Sequence, residues 1–135
     1  MRQLAAEIAT AAPDSVDMIF ENVGGDVLDA GLMNLAMRAR ILLCGLISEY
    51  NSADGKHGAR NLWALIVKRA TMQGFLIMDY VSRFGEGGMQ VAQWMSDGKI
   101  RVDEDVQIGL ENAYPAFMRL FSGANTGKLI LKIAD

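Results

Sequence analysis

The chain has 135 residues, 51% of them hydrophobic and 21% charged, a balance that excludes a disordered polymer and suits a single folded domain. Its net charge of −3 and pI near 5.1 leave no footprint for nucleic acid, and no block of like charges is present. No apolar stretch reaches the ~18 residues of a membrane span, Glu7 interrupts the start where a secretory leader would be apolar, and the lone Cys44 excludes a disulfide framework; a cytoplasmic protein with no membrane, metal or nucleic-acid partner is expected.

Leu4, Ile8 and Ala11 recur at helical spacing over residues 1–12, and Pro13-Asp14-Ser15 stops that helix. A chain that opens on a helix within an α/β rhythm leads us to expect earlier units before it. Residues 16–23 read as a buried strand with both faces covered, because four of the first five are apolar. Gly24-Gly25 turns the chain, and Asp26 is expected to cap a helix over residues 27–37 with Val27, Leu28, Leu32, Leu35 and Ala36 inward and Arg38 and Arg40 at its end. Residues 40–46 form the second strand, and a polar loop over residues 47–59 follows, with Asn51 and the only histidine, His57.

Asn61 is expected to cap a short helix ending at Lys68, with Leu62, Leu65 and Ile66 inward. Phe75-Leu76-Ile77-Met78 reads as a third parallel strand. A helix over residues 79–96 comes next, its early turns weakened by Gly85, Gly87 and Gly88. From Ile100 the pattern changes to an alternating strand, a helix over residues 111–121 and a strand over residues 128–133, expected to be antiparallel or mixed. The expected architecture is α/β: a partial, doubly wound Rossmann-type parallel sheet over residues 1–99 with a strand-helix-strand tail over residues 100–135.

Chemistry in such a sheet belongs outside the carboxyl ends of the strands, which places Asn22 to Gly25 and Gly45 to Asn51 first. Backbone N–H groups in these Gly/Asn segments, and in Ser122-Gly123-Ala124-Asn125-Thr126-Gly127-Lys128, are candidates to face a ligand. Phe84-Gly85-Glu86-Gly87-Gly88 follows no strand and lacks the dinucleotide spacing, so it is a decoy. His57 stands alone in a polar loop, and Cys44 sits mid-strand with no nearby base; neither belongs to a paired catalytic or metal-binding pattern.

Phe20-Glu21-Asn22-Val23-Gly24-Gly25, Leu42-Leu43-Cys44-Gly45-Leu46-Ile47-Ser48-Glu49-Tyr50-Asn51, Lys68-Arg69-Ala70-Thr71-Met72-Gln73-Gly74-Phe75 and Leu120-Phe121-Ser122-Gly123-Ala124-Asn125-Thr126-Gly127-Lys128, in this order, resemble the zinc-independent medium-chain dehydrogenase/reductases. Within them the chain is most similar to the NADPH-dependent 2-alkenal, or prostaglandin and leukotriene B4, reductases. The resemblance covers the second half of their cofactor domain and the C-terminal segment.

It implies reduction of the C=C bond of an α,β-unsaturated carbonyl substrate by hydride transfer from NADPH, without metal. It implies that Asn22 and Gly24 lie beside the cofactor, that Cys44, Gly45, Ile47 and Ser48 flank its adenosine and ribose side, and that Tyr50 donates to the substrate carbonyl. Phe75, Leu76 and Ile77 would offer backbone groups to the nicotinamide carboxamide, and Asn125 with Gly127 would close over the cofactor. The preference for NADP over NAD rests on the family alone. A homodimer through residues 75–78 as edge strand is also implied. The alternatives are a non-catalytic fragment or dimerising nucleotide-binding module without activity on its own, which binds nucleotide weakly or not at all, and a small-molecule binding module of another class.

Overall fold

The computed structural model describes residues 1–50 and 58–134, so His57 and Asn51 of the polar loop lie outside the described residues. It separates into two compact units, Met1–Val81 and Ser82–Asp135, a break ahead of the point at which the sequence pattern changes.

In the first unit the order is α1 (Arg2–Ala11), β1 (Val16–Glu21), α2 (Gly25–Met33), β2 (Leu35–Leu43), a 3-10 turn at Ile47–Glu49, α3 (Trp63–Lys68), β3 (Thr71–Gly74) and a 3-10 helix that starts at Ile77. The strands form one parallel sheet in the order β1-β2-β3. Leu28 and Leu32 of α2 pack on Leu35, Ala39 and Ile41 of β2, with Ile19, Ala64, Leu65 and Met72 around them. That arrangement is the expected Rossmann-like α/β unit.

The structure departs from the pattern at four places. The helix expected to run to residue 37 ends at Met33, because Asn34 diverts it. Its Nδ2 donates to the Ala30 carbonyl at 2.9 Å and to the Ala5 carbonyl of α1 at 3.0 Å, while its own carbonyl accepts the Val16 N–H at 2.8 Å. A side chain that satisfies the last carbonyls of a helix competes with continuing it. Leu35 is therefore the first residue of β2 rather than a helical one, and Arg38 sits at φ 64 in a bulge opposite Val16 and Met18.

The third strand is likewise Thr71–Gly74, earlier than expected, and residues 75–78 lead into the 3-10 helix Ile77–Arg83. The edge on this side of the sheet is thus β3 itself, and β1 forms the other edge. In α3, Ala64 and Leu65 face the core whereas Leu62 and Ile66 are exposed, and no side chain caps its start. Finally, Met18 and Phe20 are 61% and 60% exposed, so only the Ile19 face of β1 is covered.

The second unit holds α4 (Phe84–Ser96), β4 (Glu104–Ile108), a 3-10 turn at Leu110–Asn112, α5 (Ala113–Ser122) and β5 (Lys128–Lys132). β4 and β5 pair parallel, not antiparallel, from Glu104↔Lys128 to Ile108↔Lys132. The intervening α5 supplies the crossover that parallel pairing needs. Ala116 is its buried residue, while the apolar Phe117, Leu120 and Phe121 are exposed; Phe117 and Phe121 meet edge to face at 5.1 Å.

Candidate functional site

β1 and β2 run parallel and end side by side, so the segments that leave their carboxyl ends meet. The N–H groups of Cys44 and Gly45 donate to the Glu21 carbonyl at 2.8 and 3.1 Å, Ile47 donates to Asn22 at 3.0 Å, and Ser48 to Val23 at 3.0 Å. Ser48 Oγ adds a bond of 2.6 Å to the same Val23 carbonyl. These bonds join the two turns into one surface.

Two carboxylates lie beneath it. Glu21, 3% exposed, accepts the N–H groups of Val23 at 2.5 Å and Gly24 at 2.7 Å, and buried Glu49 accepts that of Gly25 at 3.4 Å. A carboxylate withdrawn from water needs such donors. Gly24 has φ 79, and a Cβ there would stand 3.0 Å from Leu46 Cδ2 and 3.1 Å from Glu49 Oε1, so both conformation and space demand glycine.

Tyr50 folds back over Gly45, its hydroxyl accepting the Leu46 N–H at 3.2 Å. A Cβ on Gly45 would lie 3.1 Å from that hydroxyl and 3.4 Å from both the carbonyl oxygen and Oδ1 of Asn22. Asn22, Gly45 and Tyr50 therefore converge on one point. Because the tyrosine oxygen already accepts from Leu46, its proton is left to donate outward. The Asn22 amide has no hydrogen-bond partner among the described residues. An open groove of about 380 Å³ adjoins this point, lined by Ile8, Ile19, Glu21, Asn22, Val23 and Val27 among others.

The expected backbone donors are otherwise engaged. The N–H groups of Val23, Gly24, Gly25, Cys44, Gly45, Leu46, Ile47 and Ser48 all bond within the protein. Turns leaving adjacent strands find acceptors in each other, so this surface is not a cradle of free N–H groups for phosphates. What it presents is a glycine floor, an amide and a hydroxyl.

The Phe75 N–H donates to the Leu43 carbonyl at 3.2 Å, and the Leu76 carbonyl accepts from Asp79 at 3.0 Å. The Phe75 ring stands 5.9 Å from Phe20 and 6.1 Å from Tyr80, and an apolar groove of about 260 Å³ runs between Leu42, Gln73, Phe75, Ile77 and Tyr80. Cys44, Ile47, Leu76 and Ile77 are exposed.

Asn125 and Gly127 belong to the second unit. Asn125 Nδ2 donates to the Gly127 carbonyl at 3.1 Å, and Gly127, at φ 79, stands so near Asp103 that a Cβ would fall 2.1 Å from its carbonyl oxygen.

Several supporting residues escaped the sequence reading because their partners are remote in the chain. Asp29, 1% exposed, accepts the Arg60 N–H at 2.7 Å, Arg60 Nε at 2.6 Å and the Asn61 N–H at 3.1 Å, fixing the segment before α3 to α2. Arg60 also pairs with Asp26. Burial pushes the Asp29 carboxyl up, yet the bonds from Arg60 and Asn61 outweigh it and hold it below its ordinary value. Among the described residues no three His, Cys, Asp or Glu side chains gather as metal ligands.

With this geometry in place, comparisons with known proteins give its ancestry. A family model described as zinc-binding dehydrogenase matches residues 2–131. The NADP(+)-dependent 2-alkenal reductase of Nicotiana tabacum is 41% identical over 133 residues, which cover 98% of this chain and 38% of that protein. The NADPH-dependent curcumin reductase of Escherichia coli (strain K12) is 40% identical, across 96% of this chain and 39% of its own length. The crystal structure of CurA from Vibrio vulnificus in complex with NADPH superposes with a TM-score of 0.81 at 41% identity, over 97% of this chain and 40% of that one. The chain thus spans about two fifths of the length of the relatives it matches. A parallel α/β unit with converging strand ends and a family match over nearly every residue lead to one conclusion: the chain belongs to the zinc-binding dehydrogenase family of medium-chain dehydrogenase/reductases.

Proposed function

We propose that this chain carries the nicotinamide-facing part of an NADP-dependent reductase acting on a C=C bond conjugated to a carbonyl. The observation that carries the reading is the convergence of Asn22, Gly45 and Tyr50 at the carboxyl ends of adjacent parallel strands. The relatives support the class: their names include 2-alkenal reductase, curcumin reductase and, for a Mentha piperita protein, (+)-pulegone reductase.

When bound, the nicotinamide supplies a hydride to the β-carbon of the substrate. Asn22 and Gly24 would hold its ribose end. Cys44, Gly45, Ile47 and Ser48 would line the adjoining side, and the Phe75, Leu76 and Ile77 backbone the carboxamide. Asn125 and Gly127 are proposed as further cofactor contacts. Tyr50 donates its hydroxyl proton in a hydrogen bond to the substrate carbonyl oxygen, stabilising the charge that develops there. The Leu46 N–H holds the phenol oxygen in the orientation this requires.

A second reading, a non-catalytic module that binds nucleotide weakly or not at all, is favoured by the engaged N–H groups of both turns, which leave no phosphate cradle at these two strand ends. Under either reading the protein works in the cytoplasm, and the edge strand available for a homodimer is Thr71–Gly74 rather than residues 75–78. Incubating the chain with NADPH and a simple enone, and following the reduced-nicotinamide absorbance, separates the two. Enone-dependent loss that falls about 100-fold in Tyr50→Phe is the result expected of the reductase. Saturable NADPH binding with no turnover leaves the module.

A further inference from the structure

The second unit contains an ion pair whose partners both grip the connection between α5 and β5. Arg119, in the last turn of α5, directs Nη2 to Asp105 Oδ2 on β4 at 2.6 Å and to the Ala124 carbonyl at 2.9 Å. Asp105 Oδ2 in turn accepts the Thr126 N–H at 3.2 Å, and Asp105 Oδ1 accepts Gln107 Nε2 at 2.6 Å. Asp105 is 11% exposed and Arg119 35%, so the pair is partly withdrawn from water.

The connection is pinned at both ends as well. The Ala124 N–H donates to the Arg119 carbonyl at 3.2 Å, and the Lys128 N–H to the Asp103 carbonyl at 2.8 Å. Between these bolts stands Asn125, whose amide bridges to the Gly127 carbonyl at 3.1 Å. One guanidinium and one carboxylate thus hold the residues on either side of Asn125, Ala124 through its carbonyl and Thr126 through its N–H.

We infer that Asp105 and Arg119 are positioning residues: a charge-assisted clamp that fixes residues 123–127 in one shape and so sets where Asn125 presents its amide. What the loop is shaped for rests on the function proposed above, in which Asn125 contacts the nicotinamide nucleotide. Neither member of the clamp touches the cofactor in this account. Arg119 is needed rather than a lysine because a single Nη2 serves two oxygens in a fixed plane, which an ammonium on a flexible stem does not reproduce.

The test measures amide hydrogen exchange and NADPH affinity together on the full chain, as unaltered protein and as Asp105→Asn, Arg119→Met and Arg119→Lys. Exchange at Ala124 and Thr126 is expected to rise about tenfold or more in the first two variants, the amides shared between β4 and β5 staying protected, with Arg119→Lys intermediate. The NADPH dissociation constant should rise about tenfold in parallel, one charge-assisted hydrogen bond's worth. Unchanged exchange in the loop overturns the clamp. So does a rise spread evenly over β4 and β5, which would make the pair a general stabiliser, or a loosened loop with unchanged NADPH affinity. If the unaltered chain binds no NADPH while the loop still loosens locally, the clamp is supported and the nucleotide reading is what fails.

Discussion

At the scale of the residue, Gly45 and Tyr50 are the coupled pair on which the strand-end surface depends. A side chain at position 45 presses first on the tyrosine hydroxyl, 3.1 Å from its Cβ, while the Asn22 carbonyl at 3.4 Å bounds the other side, so branching at that Cβ has no room to turn away from the ring. Gly45→Val should therefore expel the Tyr50 ring while leaving the sheet folded. The expected readout is a changed tyrosine fluorescence and about tenfold weaker NADPH binding, with unchanged far-ultraviolet circular dichroism. Asp29 is the other decisive residue. Asp29→Ala leaves three donors of Arg60 and Asn61 without their acceptor and should destabilise the protein by about 2–4 kcal/mol in urea titrations.

The pH dependence of that contribution has a definite sign. The folded-state pKa of Asp29 is depressed, so its stabilisation is present above the ordinary aspartate range and disappears as pH falls through the folded value. The stability gap between the unaltered protein and Asp29→Asn should be constant near neutrality and close as pH drops below about 4. A gap that persists into strong acid would contradict the assignment.

At the scale of the element, Asn34 does most to shape the first unit. It ends α2, ties α1 to α2 and receives the first N–H of β1. Asn34→Ala should cost about 1–3 kcal/mol, and α1 should become the first segment cut in limited proteolysis. The parallel strands and their order with the helices were legible in the chain's apolar runs, and so were the positions of Gly24 and Gly45 at their ends. The boundary at residue 34 was not, because Leu35, Ala36 and Met37 continue a helical spacing, and what stops the helix is a contact with Ala5, 29 positions away. The third strand was placed late for a related reason. Phe75-Leu76-Ile77-Met78 is the most apolar run in its region, but Arg40↔Thr71 to Leu43↔Gly74 is the register in which β2 can pair. The clamp of Asp105 and Arg119, and the anchor at Asp29, depend on partners far along the chain that no local pattern announces.

At the scale of the whole molecule, the exposed apolar side chains are the informative feature. Met18 and Phe20 line an uncovered sheet face, and Trp63, Met89, Trp94, Phe117 and Phe121 stand exposed on helices. Such surface is more than a soluble monomer ordinarily leaves open. The chain should therefore bind an apolar dye such as anilinonaphthalene sulfonate while keeping native near-ultraviolet dichroism, and sedimentation should reveal self-association rising with concentration. A monomer at every concentration would count against pairing through β3.

The central claim is that the joined turns after β1 and β2 receive a nicotinamide nucleotide, and an amide-resolved NMR titration of the chain with NADPH tests it most directly. The account predicts saturable shifts clustered at Asn22, Gly24, Gly45, Leu46 and Tyr50, abolished by Gly45→Val. Shifts absent from those residues at saturating NADPH, or scattered with no dependence on position 45, would contradict it.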